Sequence, residues 1–236
     1  MSKKLMLLAA GALTALAFAA LPAVASAGTY NVDCEGGAPT CGGTITSNPA
    51  VLIELEDDAG VKIRCTSTTG SFSATNATST GSAELVFKGC TEQTFDAFKC
   101  NNTGVAGEIK TNKLTSDLIN IDPSPATTPG ILLTGINVTF TCAGFVNKTV
   151  TGNIIGHIEN GAPGGTACDT IFDKTTSISF EKIGVGQQKF KQVTTTGTMF
   201  DLISGDHTSG AKTDATTSSQ TGTGILNWTT SARITC

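Results

Sequence analysis

The stretch Val61–Cys100, VKIRCTSTTGSFSATNATSTGSAELVFKGCTEQTFDAFKC, constrains the fold more than any other part of the chain. Val61, Ile63 and Cys65 alternate with Lys62, Arg64 and Thr66. A period of two marks a strand with one wet face and one apolar face. Ser67-Thr68-Thr69-Gly70 and Thr78-Ser79-Thr80-Gly81 read as turn clusters, with glycine free to take a positive φ. Between and after them, Phe72 with Ala74, and Ala83 with Leu85 and Phe87, supply two further apolar faces. Three antiparallel strands of this kind are stable only when their apolar face is covered. The stretch therefore predicts half of a core, and the rest of the chain must supply the other half.

The same alternation recurs. Val51, Ile53 and Leu55 precede a turn at Asp57–Gly60; Glu108–Asn112 and Leu114–Ile121 follow as strands. Ile136, Val138, Phe140 and Cys142 alternate with Asn137, Thr139 and Thr141, and Val146–Ile158 continues the pattern, with His157 on the polar face of Asn147, Thr149, Thr151 and Asn153. Thr176, Ile178 and Phe180 form another strand. Gln187–Val193 and Thr198–Ile203 are expected to pair as a hairpin, and Gly224–Cys236, with Trp228, is the closing strand. Asn160–Thr166 reads as a long turn, and the Ser/Thr/Gly/Asp-rich run Gly205–Gly222 reads as a surface loop. No stretch has a helical period. About a dozen short strands with this spacing predict an all-β, antiparallel two-sheet β-sandwich, the alternative being a β-barrel.

The N-terminus reads as a secretory signal over residues 1–27: Lys3 and Lys4, an apolar core from Leu5 to Leu21, and an Ala25-Ser26-Ala27 cleavage site. Cleavage would take the formal charge from −4 to −6. The chain then lacks the basic patch that nucleic acid or an anionic membrane surface would require, and no later segment could span a bilayer as a helix. Residues 28–48 are expected to form an N-terminal extension closed by a local disulfide, and 49–236 a single sandwich domain. The run Val61-x-Ile63-x-Cys65 echoes Val138-x-Phe140-x-Cys142, so the domain could consist of two packed meanders.

All eight cysteines (Cys34, Cys41, Cys65, Cys90, Cys100, Cys142, Cys168 and Cys236) follow the signal. An even count behind a signal peptide predicts disulfides, whereas zinc would require CxxC-type spacings or nearby histidines. Short loops favour Cys34–Cys41 and Cys90–Cys100. Cys65–Cys142 could then join two sheets, leaving Cys168–Cys236. The alternative set is Cys65–Cys90, Cys142–Cys168 and Cys100–Cys236, and the choice stays open.

No catalytic, cofactor or metal constellation emerges. His157 and His207 are the only histidines, and the neighbours in Asp206-His207-Thr208-Ser209 are too close in sequence to build a triad. Asp201, Asp206 and Asp214 match no EF-hand spacing and read as solvated loop acids. Trp228 and Tyr30 are too few to form an aromatic sugar platform. Phe95 and Phe98 are expected to pack down onto the sheet. The sequons at Asn76, Asn101, Asn137, Asn147 and Asn227 carry little weight in so Thr-rich a chain.

The run CTSTTGSFSATNATSTGSAELVFKGCTEQTFDAFKC, with GEIKTNKL and GILLTG…VTFTC…VTGNIIGHI after it, resembles a group of secreted bacterial Thr/Gly-rich β proteins of no known activity. That resemblance covers roughly residues 60 to 190. It implies a bacterial, secreted protein and assigns no functional residue. The expected role is non-catalytic and structural or adhesive, outside the cell or in its envelope, through envelope components or self-association. A secreted small-ligand or glycan binder, which would need an apolar pocket, is the second expectation. A hydrolase built on paired carboxylates is the third.

Overall fold

A sheet with one apolar face must either stack on a second sheet or roll up on itself. This chain rolls up. The computed structural model describes residues 30–57, 59–94, 98–122, 129–143, 146–159, 172–192, 202–208 and 211–235, which form a closed antiparallel barrel of eight wall positions. The first position holds β1 (Asn31–Cys34), a 3-10 turn (Glu35–Gly37), β2 (Thr40–Ser47) and β3 (Ile53–Asp57) end to end. β4 (Lys62–Cys65) and β5 (Ser67–Thr75) form the second, β6 (Thr80–Lys88) and β7 (Thr91–Glu92) the third. β8 (Cys100–Asn101), β9 (Ile109–Lys110) and β10 (Leu114–Asp122) share the fourth, and β11 (Pro129–Cys142) and β12 (Val146–Glu159) are the fifth and sixth. β13 (Asp173–Phe180) fills half of the seventh. The chain then leaves the wall through β14 (Lys182–Gly184), β15 (Gln187–Gln188) and β16 (Lys191–Gln192), and returns as β17 (Leu202–Thr208) to fill the other half. β18 (Ala211–Thr235) is the eighth position.

β18 decides between sandwich and barrel. It pairs with β17 and β13 on one side and with β3, β2 and β1 on the other, so the sheet has no second layer to pack on. At one level the ring runs β13-β12-β11-β10-β6-β5-β2-β18 and back to β13. At the other it runs through β17, β12, β11, β8, β7, β4, β3 and β18, with β7 and β8 joined at Thr91↔Lys99. The two-sheet sandwich is therefore replaced by the barrel. The two meanders are arcs of one wall, not layers packed face to face. β2, from the expected N-terminal extension, is a wall strand between β5 and β18.

Register corrects three other expectations. Ile63↔Glu92, Ser67↔Lys88 and Ala74↔Gly81 belong to one unbroken hairpin register, so the strand runs straight through Ser67–Gly70. The turn lies just beyond, where Ala77 takes φ 57°. The described residues of Gly205–Gly222, 205–208 and 211–222, are likewise ladder, not loop, since β17 and the first half of β18 pair with each other. Thr and Ser suit a pleated surface once strand partners are available, and that overrides their loop-like composition. Of the expected hairpin of Gln187–Val193 with Thr198–Ile203, the described ends pair elsewhere: β15 with β14, β16 with β10, and Leu202 and Ile203 with Gly152 and Thr151 of β12, while residues 193–201 lie outside the described residues.

Cys34–Cys41 forms as expected. The other two described bridges are Cys65–Cys90 and Cys100–Cys142, which correct Cys90–Cys100 and Cys65–Cys142 and also exclude Cys142–Cys168 and Cys100–Cys236. The reason is a row of four buried cysteines on four adjacent strands. Cys65 faces Cys90 in the long hairpin, Cys100 donates its backbone N–H to the Cys90 carbonyl, and Cys100 pairs with Cys142. A central Cys90–Cys100 bond would leave both outer thiols without a neighbour. Cys168, Cys236 and the signal segment lie outside the described residues.

The core lies inside the barrel. A bulge between Leu133 and Ile136, where Gly135 takes φ 78°, switches the phase of β11. Leu133 before it and Val138 and Phe140 after it all join one core as a result. Gly43 stands between Phe72 of β5 and Trp228 of β18 in register. A Cβ there would lie 1.9 Å from the Asn227 carbonyl oxygen. With no side chain between them, the two rings meet edge to face, their centroids 4.6 Å apart. A smaller cluster outside the wall (Ile119, Ile121, Leu132 and Ile155) is covered by Phe190 from the β14–β16 strap.

Candidate functional site: the barrel interior

The interior is not filled. One cavity of about 90 Å³ lies at the Trp228 end and a second of about 80 Å³ towards the row of cysteines. Both are bordered by Ile53, Leu85, Phe87, Leu133, Phe180 and Gln220, so they sit end to end across a shared waist. The room exists because inward positions at the upper cavity are glycines: Gly81, Gly222 and Gly224 line it beside Leu226 and Trp228. Small barrels usually alternate small and large inward residues to fill their taper.

Among the polar side chains along this apolar space, Thr111 and Thr176 are already hydrogen-bonded, whereas Thr68 and Gln220 are not. Thr68 is 6% exposed, lines the upper cavity, and its Oγ1 has no hydrogen-bond partner. Gln220 lines both cavities, in step along β18 with Leu226 and Trp228. The two residues flank the interruption between β2 and β3, on β5 and β18. There the ladder stops at Ser47, whose Oγ accepts the Thr68 N–H at 2.9 Å, and resumes at Ile53. Asp117, the one carboxylate along the cavities, is in step with Ile119 and Ile121, which face outwards.

The two ends of the interior differ. Trp228 closes in on the upper cavity with its indole N–H donated to Thr176 Oγ1 at 3.0 Å. Beyond the lower cavity, Lys148 projects inwards in step with Val150 and Ile154, and its Nζ lies 2.9 Å from Asp57 Oδ2. Both side chains are buried, and Asp57 Oδ1 also accepts the Val61 N–H at 2.8 Å.

The outer face carries a charged cluster on β3. Glu54 and Glu56 project from β3 towards Lys182, which bonds to both, while Arg64 reaches Glu54 and Lys62 reaches Glu56. The Lys182 hydrogen bond foremost, and Lys62 with it, hold the Glu56 carboxyl below the usual carboxylate range. Burial pushes Glu54 up, but Arg64 and Lys182 more than offset it. Burial likewise opposes the Lys182 charge, and the two glutamates outweigh it, raising its pKa. Both carboxylates therefore stay ionised, whereas a general acid would need one of them raised.

The remaining expected residues are dispersed. His157 lies half-buried on the outer face, 5.5 Å from the Phe190 ring. Asp206 and His207 belong to β17 and Asp214 to β18, so they do not share a loop; Asp201, Ser209 and Phe95 lie outside the described residues. Phe98 packs against the core as expected. Among the described residues no group of three His, Cys, Asp or Glu side chains could hold a metal ion, and no helix is long and apolar enough to cross a membrane.

Fold and site together define an antiparallel barrel with an apolar interior and a Thr-rich wall. No family model, curated protein or solved structure matches the chain. Sequence reasoning missed Thr68 and Gln220, which fell in stretches read as turn and loop. It also passed over Lys148, although that residue sits in phase with Val150 and Ile154.

Proposed function

We propose that this is a non-catalytic, secreted binding protein that takes a small apolar molecule into the barrel interior. The observation that carries the reading is the pair of unfilled cavities, end to end within a closed wall. Together they offer on the order of 170 Å³, and an apolar cavity of about 150 Å³ stays dry and takes up a benzene-sized molecule. The three disulfides fit an oxidising, extracytoplasmic setting, in keeping with the signal-like N-terminus. A glycan would demand a polar group for most of its hydroxyls, and this lining is predominantly apolar.

Trp228 lines the upper cavity and is the only tryptophan, so its fluorescence reports on occupancy. Titration with n-heptane is expected to shift the emission and raise the Tm; no change in either would defeat the reading. A second reading, attachment at the cell envelope, is favoured by the projecting β14–β15 hairpin. Its Ile183 and Val185 are 62% and 51% exposed. Fractionation of the host tests it: a free monomer in the medium would count against attachment, and retention in the envelope would support it.

A further inference from the structure

The polar pair at the interior says what kind of molecule the cavities take. This inference rests on the interior being a binding site. We propose that the ligand is a short, unbranched, neutral molecule with one hydrogen-bond-accepting group in mid-chain, such as a medium-chain ketone or ester, received by Thr68 and Gln220.

Four observations lead there. The Thr68 hydroxyl is buried and unpartnered, yet a buried hydroxyl normally finds a partner in a folded protein. It faces the upper cavity, so a guest there can supply the missing acceptor. Gln220 borders both cavities, which puts its amide at the waist, and its side chain makes no hydrogen bond to a described residue. Apolar walls continue on both sides of that waist, with Trp228 and Leu226 above and Val138 and Phe140 below. A guest matched to this space carries its polar atom in the middle and hydrocarbon at both ends.

Size and charge narrow the class. The combined room suits on the order of six to eight non-hydrogen atoms. A charged group would be desolvated without a counter-ion, since no ionisable side chain among the described residues borders both cavities, and that is strongly unfavourable. The Thr68 O–H and the Gln220 amide N–H are donors, so they suit a carbonyl oxygen.

The experiment compares 4-heptanone with n-heptane, using Trp228 fluorescence on the full chain and three variants. Thr68→Val keeps the shape and removes the hydroxyl. It is expected to raise the Kd for 4-heptanone about fivefold to tenfold and to leave that for n-heptane unchanged or lower. Gln220→Leu is expected to act in the same direction, and Thr68→Ser to restore ketone binding. Thr68→Val should also melt no lower than the parent, because it removes an unpaired buried hydroxyl, so a folding defect would not mimic the result. If the ketone and the alkane respond alike to both substitutions, the polar pair holds no ligand group. The inference then falls while binding in the barrel stands. If n-heptane also fails to bind the parent protein, the binding reading itself is lost.

Discussion

The two ends of this barrel are closed by different means. At the Trp228 end the wall is made of long ladders: β5 pairs along eight residues with β6 and seven with β2. Among the described residues, closure there runs through Phe72 meeting Trp228 over Gly43 and the indole bound to Thr176. The one described disulfide at that end, Cys34–Cys41, ties a turn at the rim. At the cysteine end the wall is pieced from short strands; β7 and β8 have two residues each and β4 four. Two disulfides side by side and the buried Lys148–Asp57 pair hold that end. Where too few hydrogen bonds are available to define a ladder, covalent and ionic links replace them. Each link should therefore matter more at the cysteine end than its counterpart does at the other.

The sharpest way to break the contrast is at the ion pair. Lys148→Met takes the ammonium away from the buried Asp57 carboxylate and is expected to destabilise the protein by about 3–5 kcal/mol. Adding Asp57→Asn should recover much of that loss, because the cost lies in the orphaned charge. Urea unfolding of the two variants measures both values; a single variant within 1 kcal/mol of the parent would show that the pair does not hold this end.

Removing a staple comes next. Cys65→Ala with Cys90→Ala opens a loop with a sequence separation of 25 residues, and the loss should be about 3 kcal/mol. Cys34→Ala with Cys41→Ala, across a separation of 7, should cost about 2 kcal/mol. Hydrogen exchange separates the two further. The first change should speed exchange in β4, β7 and β8, whereas the second should act only near β1 and β2. A uniform response would contradict the division of the barrel into two differently held ends.

The Trp228 end has its own test. Thr176→Val keeps the shape and takes away the acceptor for the indole N–H, at an expected cost of about 1–3 kcal/mol. The emission of the single tryptophan should change with it. Equal stability and unchanged emission would mean that the hydrogen bond contributes nothing to closure.

Much of the wall was legible from alternation alone. Leu114–Ile121, Ile136–Cys142 and Thr176–Phe180 lie in strands as expected, and Val138, Phe140 and Cys142 form the apolar face read from the alternation. What escaped was the part decided by distant partners. Barrel and sandwich use the same hairpins, and they differ only in whether β18 pairs on both edges, which no local pattern reports. Ser67–Gly70 and the described residues of 205–222 have turn-like composition, yet pairing with neighbouring strands holds them as strands. The two polar groups of the candidate site fell within those two stretches, so misreading punctuation also hid the site. Cys34–Cys41, and Cys65–Cys90 from the alternative set, formed; Cys90–Cys100 failed for a related reason: loop length favoured it, but the row of four cysteines can be fully bridged only in outer pairs.

The smallest expected effect is on pH dependence, and it sharpens the contrast from outside the wall. Glu54 and Glu56 on β3 are tied to Lys182, which follows β13, so this cluster links the cysteine end to the strap. Their carboxyls are depressed in the folded protein, Glu56 chiefly by Lys182 and Glu54 by Arg64 and Lys182 against the effect of burial. A depressed carboxylate contributes stability above its unfolded pKa of 4.5 and loses it as pH falls through the lower folded value. Lys182 is raised, so its share is present below 10.5 and lost as pH climbs through the higher folded value. Stability should thus be level through neutrality and decline at both extremes. The share of these partly exposed pairs is on the order of 1 kcal/mol. Lys182→Met should flatten both limbs, and Tm profiles from pH 3 to 11 compare the variant with the parent. Because the cluster sits on β3, acid should speed hydrogen exchange at the cysteine end before it reaches the ladders around Trp228. The opposite order would mean that the covalent staples, not these charges, set the tolerance of that end to acid.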